Sequence, residues 1–148
     1  METAIEGIFH ELGYDRLNFP VGTFLSQASI LAEIEDVHRY PTLKQFLSHF
    51  GWCPKNYQSG GFCLEHPRMS HAGNPYVRRL IWMLSIVAIK AVPAYREYFT
   101  QRVAAGKKKM HTIVAVGRKL LSVIYAILKT GKPYSPREEL STLAFAGH

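Results

Sequence analysis

The residues with the types and spacing to do phosphate chemistry fall in one stretch of the chain. Tyr57-Gln58-Ser59-Gly60-Gly61 sets a serine beside two glycines, which lets a bulky backbone such as a phosphodiester approach its hydroxyl closely. Arg68, Arg78 and Arg79 follow, residue types that make charge-assisted contacts to phosphoryl oxygens. The run Arg68-Met69-Ser70-His71-Ala72-Gly73-Asn74-Pro75 feeds this basic loop into a helix amino-terminus, a geometry suited to holding an anion. Ser-Gly-Gly is also ordinary turn chemistry, and the segment lacks the flanking pattern of a hydrolase nucleophile elbow. Tyr57 is a rival nucleophile, although an aromatic ahead of a tight turn more often packs. Cys53, Cys63, His66 and His71 are all zinc-compatible ligand types, but their spacing departs from that of zinc fingers, so no metal site is assigned.

Charge is distributed unevenly. Residues 1–74 hold five Lys/Arg against eight Asp/Glu, whereas residues 75–148 hold thirteen against three. Clustered charge of one sign makes the field, so the second half points to a polyanion partner. Lys107, Lys108 and Lys109 form a basic turn, and Arg118 and Lys119 lie on a later helix. Two cysteines are too few for a disulfide framework, which fits a reducing cytoplasm. No leader pattern is visible, and the apolar stretch from Leu80 to Ile89 is short of the roughly 20 residues that span a bilayer. No membrane partner is expected.

The elements that position these residues are helical. A short connector helix is expected within residues 1–19, where Ile5, Ile8, Phe9 and Leu12 recur at spacings of three and four. After Pro20 and Gly22, a helix over Phe24 to Ile34 and another over Leu43 to Phe50, capped by Thr42, read as a helical hairpin of helix-hairpin-helix type. Residues 51–73 lose periodicity, the mark of a long functional loop. Asn74-Pro75 starts a helix that runs to about Val92 and, apolar around most of its circumference, is expected to be central. Further helices run from Ala94 to Gly106 and from about Met110 to Lys129. The expectation is one mainly α domain over residues 20–134, with a loosely held tail at 135–148.

Five segments in order, Ile30-Leu31-Ala32-Glu33-Ile34, Phe50-Gly51-Trp52-Cys53-Pro54, Gln58-Ser59-Gly60-Gly61, Ser70-His71-Ala72-Gly73-Asn74-Pro75-Tyr76-Val77-Arg78-Arg79 and Val114-Ala115-Val116-Gly117-Arg118-Lys119-Leu120-Leu121, resemble the carboxy-terminal domain of insertion sequence 110/116/902 family transposases. The resemblance implies that Ser59 is the serine nucleophile attacking a DNA phosphodiester. It implies DNA as partner, with a structured guide RNA and a homo-oligomer in the DNA complex, and a nucleoid-associated protein. It also implies Mg2+ held by four carboxylates of an amino-terminal RuvC-like domain, which this sequence does not contain, so the chain itself is expected to bind no cofactor. Arg118 and Lys119 match basic family positions, and the Pro20-Val21-Gly22-Thr23 turn is less glycine-rich than the family's. The alternative is a non-catalytic nucleic-acid-binding or oligomerisation module left by a truncated transposase.

Overall fold

In the computed structural model the described residues are 23–52 and 73–131, together with Ala4 and Gly7, which are helical. The connector helix expected within 1–19 otherwise lies outside them, as do the loop segment 53–72 and the tail. Five α-helices and one short 3-10 turn account for the rest, with no strand among the described residues.

Local chemistry sets each boundary. Helix α1 (Phe24–Ile34) starts at Thr23, whose hydroxyl accepts from the Ser26 amide. The 3-10 turn Val37–Arg39 is capped by Asp36, which accepts from His38 N–H at 2.9 Å. Helix α2 (Leu43–His49) opens on a capping box in which Thr42 and Gln45 satisfy each other's backbone amides. It ends on Gly51 at φ 69°, with Gly51 N–H donating to the Ser48 carbonyl and Trp52 N–H to that of Leu47, a Schellman closure. Asn74 caps α3 (Pro75–Ala91), with proline at the first position where no amide is needed. Pro93 then opens α4 (Pro93–Ala104) at once, with Val92 serving both helices as cap. Gly106, at φ 91°, repeats the Schellman closure for α4, and α5 (Lys109–Thr130) stops at left-handed Gly131.

The expected order of helices is observed, but their roles differ. Helix α5, not α3, is the hub: it packs on α2, α3, α4 and the 3-10 turn. Its inner face supplies Val116, Leu120, Leu121, Val123, Ile124 and Ile127 to a core shared with Phe46, Phe50, Trp52, Ile81, Leu84 and Tyr95. By length and composition alone α5 is apolar enough to cross a membrane, a property not expected from the sequence, and half of that stretch is buried against the other helices. Helix α3 buries only Val77, Ile81, Leu84, Ser85 and Ala88, leaving Tyr76, Met83 and Val87 65%, 53% and 46% exposed. Helices α1 and α2 follow one another as expected, yet α1 packs chiefly on α3 and α2 on α5, so they do not make a self-contained hairpin.

Trp52 makes one of the contacts that join the two halves of the sequence. The Trp52 indole lies across α5 at Gly117 and donates from Nε1 to the Val114 carbonyl at 2.9 Å. A methyl group on Gly117 would stand 2.6 Å from the indole and 2.8 Å from Ser85 Oγ of α3, closer than any relaxed contact. Gly117→Ala is expected to destabilise the protein by about 1–3 kcal/mol, the usual cost of overpacking a filled core. Urea unfolding followed by circular dichroism measures it, and an unchanged midpoint would refute the close approach.

Candidate nucleic-acid interface

The residues proposed from sequence divide into two groups. Ser59, Tyr57, Arg68 and the cysteine and histidine positions 53, 63, 66 and 71 lie outside the described residues. Arg78, Arg79, Lys107, Lys108, Lys109, Arg118 and Lys119 are described. Among the described residues no three His, Cys, Asp or Glu side chains gather as a metal site would require.

The anchors on either side of the Ser59 segment are well defined and adjacent. On one side Trp52, just past the end of α2, is fixed on α5. On the other, Gly73 packs against the end of α2: at φ 89° its missing Cβ would fall 2.4 Å from the His49 carbonyl oxygen. Next to it, Asn74 Nδ2 donates to Glu33 Oε2 at 3.2 Å, and Glu33 Oε1 stands 3.4 Å from His49 Nε2 without a hydrogen bond. One carboxylate of α1 thereby ties the end of α2 to the start of α3. Trp52 and Gly73 therefore both lie at the carboxy-terminal end of α2.

The basic residues sit on three sites. Arg78, half-buried, and Arg79, exposed, occupy the first turn of α3, which carries no acidic residue. Lys107, Lys108 and Lys109 are exposed at the junction of α4 and α5. The amino-terminus of α5 has neither a side-chain cap nor an acidic residue in its first turn. Three ammonium groups therefore stand at the positive end of a 22-residue helix, whose unpaired amides and dipole favour anions and not cations.

The third site departs from the sequence-based expectation. Arg118 is exposed, but Lys119 is 7% exposed, with its Nζ 4.5 Å above the centre of the Tyr98 ring. Arg102 lies over the same ring at 5.4 Å. Burial lowers the Lys119 pKa from its usual 10.5, and the positive charges of Arg102 and Arg118 lower it further. Tyr98 and Arg102 do not stand out in the sequence. Their spacing of four on α4 is the available signal; the approach of Lys119 from α5 is not visible there.

These features accompany a family likeness. The profile described as the transposase IS116/IS110/IS902 family matches residues 21–100, more than half of the chain. The protein belongs to the IS116/IS110/IS902 transposase family. It is 28% identical over 109 residues to the pilin gene-inverting protein of Moraxella bovis, covering 73% of this chain and 34% of that protein. The same values hold for the pilin gene-inverting protein of Moraxella lacunata. A 43.6 kDa protein of insertion element IS110 in Streptomyces coelicolor is 26% identical over 110 residues, 74% of this chain and 27% of that protein. The chain thus spans about a third of the length of these curated relatives.

The packing at Gly73 and the burial of Lys119 can each be measured. Gly73→Ala should destabilise more than Gly131→Ala, because both residues have positive φ but only Gly73 faces backbone; an added methyl at Gly131 meets open space. Equal shifts in melting temperature for the two variants would contradict the packing at Gly73. For Lys119, the unfolded chain keeps its proton to a higher pH than the folded one. Stability therefore gains from this group as pH rises from the lowered pKa toward 10.5. Tyr40, whose pKa burial raises, acts in the opposite sense at the alkaline end, since its neutral form is favoured in the fold. Comparing the pH dependence of melting for wild type and Lys119→Met isolates the lysine, and identical profiles would deny it any shift.

Proposed function

We propose that this chain is the DNA-gripping, nucleophile-bearing part of a transposase acting in DNA transposition or recombination. The observation that carries the DNA grip is the exposed Lys107–Lys109 turn at the uncapped amino-terminus of α5. Cations placed where the helix itself already favours anions raise the electrostatic cost of the free state, and a phosphate backbone relieves it. Family membership supports the same partner.

The chemical half of the proposal is assigned to Ser59 through its family motif. Its Oγ attacks a DNA phosphorus, the bond from that phosphorus to the 3′ oxygen breaks, and the 3′ hydroxyl leaves with a proton. The 5′ phosphate stays esterified to the serine, which preserves bond energy for rejoining. In this reading Mg2+ and the carboxylates that hold it belong to a RuvC-like domain outside this chain, and a guide RNA selects the DNA. The adjacent anchors at Trp52 and Gly73 support a fixed base for the Ser59 segment.

A second reading, assembly with another copy in the DNA complex, is favoured by the exposed Tyr76, Met83 and Val87 on α3. Light scattering with and without DNA tests it: wild type should assemble, and Met83→Glu should remain monomeric.

Two measurements test the main reading. Replacing Lys107, Lys108 and Lys109 together by glutamine should weaken duplex DNA binding and flatten its salt dependence by about three units of slope, one for each phosphate no longer neutralised. Unchanged binding would remove the lysine turn from the interface. Ser59→Ala in a full-length protein containing this segment should abolish the covalent DNA adduct while leaving DNA binding intact; an adduct that persists assigns the nucleophile elsewhere.

A further inference from the structure

The outer side of α5 carries a line of residues that the fold does not bury. His111, Ala115, Arg118, Ser122, Ala126 and Lys129 recur at steps of three and four, so they share one face of the helix. His111, Arg118 and Ala126 are exposed and the other three half-buried, whereas Val116, Leu120, Val123 and Ile127 fill the core from the opposite side. At 1.5 Å per residue the line is about 27 Å long. It starts next to the Lys107–Lys109 turn, and α5 contains no aspartate or glutamate anywhere along it.

The chemistry of the line selects its partner. Between its cations stand only short side chains, Ala115, Ser122 and Ala126. The Ser122 hydroxyl is committed to the Arg118 carbonyl at 2.8 Å. Lys129 Nζ lies 5.5 Å from the centre of the Tyr125 ring, which attracts the ammonium without neutralising it. That ring is itself fixed by its hydroxyl bond to the Tyr40 carbonyl. A protein partner would find no aromatic or large aliphatic anchor on the line, and a lipid surface no apolar face to take up. Charge without apolar bulk fits a sugar-phosphate backbone, whose contacts are polar and made mostly to phosphate.

We infer that this line of α5 is a track for one strand of a nucleic-acid backbone, continuous with the lysine turn at one end and held by Arg118 and Lys129 beyond it. This deepens the nucleic-acid reading above and rests on it. Arg118 and Lys129 are about 16 Å apart along the helix, so they meet different phosphates, while the short side chains between them let the backbone come close. The track also gives the strand a direction. Trp52 rests on Gly117, the neighbour of Arg118, so a strand lying on the line passes beside the point from which the chain runs on toward Ser59.

The test measures binding of a short fluorescein-labelled DNA duplex by fluorescence anisotropy across a range of salt, with each variant checked for native helicity. Arg118→Gln and Lys129→Gln are each expected to weaken binding about threefold to tenfold and to reduce the salt slope by about one, whereas Arg118→Lys keeps the slope. Ala126→Glu places a carboxylate on the track and should weaken binding about tenfold. Ala32→Glu changes the net charge equally on exposed α1 and should change binding less than about twofold. If DNA is bound and Ala126→Glu behaves as Ala32→Glu does, the track is overturned and the grip of the lysine turn stands. If no DNA is bound, the track and the nucleic-acid reading fall together. Sedimentation with phosphatidylserine vesicles, lost in Ala126→Glu, would then assign the line to a lipid surface instead.

Discussion

The indole of Trp52 on Gly117 is the contact on which the arrangement depends. A tryptophan at the carboxy-terminal end of a seven-residue helix has little to hold it locally. Here the Schellman closure at Gly51 aims it across the molecule. The bare backbone of Gly117 lets the ring lie against α5, and the Val114 carbonyl takes its N–H. Ser85 of α3 closes on the same spot, its hydroxyl donating to the Ile81 carbonyl within its own helix at 2.7 Å, so that no polar group there is stranded. Three segments distant in sequence meet at a point that only glycine can leave open.

From that junction the rest is arranged by short-range chemistry. The Tyr125 hydroxyl donates to the Tyr40 carbonyl at 2.9 Å and fixes the far end of α5 on the turn between α1 and α2. Phe46 sits among Tyr40, Phe50 and Tyr125 with ring centres 5.0–5.6 Å apart, tilted or edge-on, as aromatic quadrupoles prefer. At the junction of α3 and α4, Arg96 covers the carbonyls of Ile89 and Lys90 that the end of α3 leaves open. That arginine is occupied by a structural task, which sets it apart from the basic residues turned toward solvent.

Helix identity is legible in the sequence because its signals are local. Asn74-Pro75, Thr42, Gly106 and Gly131 each act within a turn of their own position, and the structure places boundaries within a residue or two of where they point. The location of the hub is not legible. Helix α3 is apolar around its circumference, yet it leaves Tyr76, Met83 and Val87 uncovered, while α5 packs on the 3-10 turn as well as on three helices. Apolar content states how much a helix can bury, not which neighbours arrive. The same limit applies to the site. Arg118 and Lys119 are consecutive and alike in charge, so nothing in their order separates them, but on a helix successive residues point about 100° apart and only one faces Tyr98. Ser59 and Arg68 rest on motif and family alone.

The neighbouring anchors at Trp52 and Gly73 carry a consequence for how such a protein can vary. The entropy of holding two such points together grows only with the logarithm of the chain length between them, about 0.6 kcal/mol for each doubling. A family built on this frame can change the number of residues between Trp52 and Gly73 at a nearly constant cost of closure.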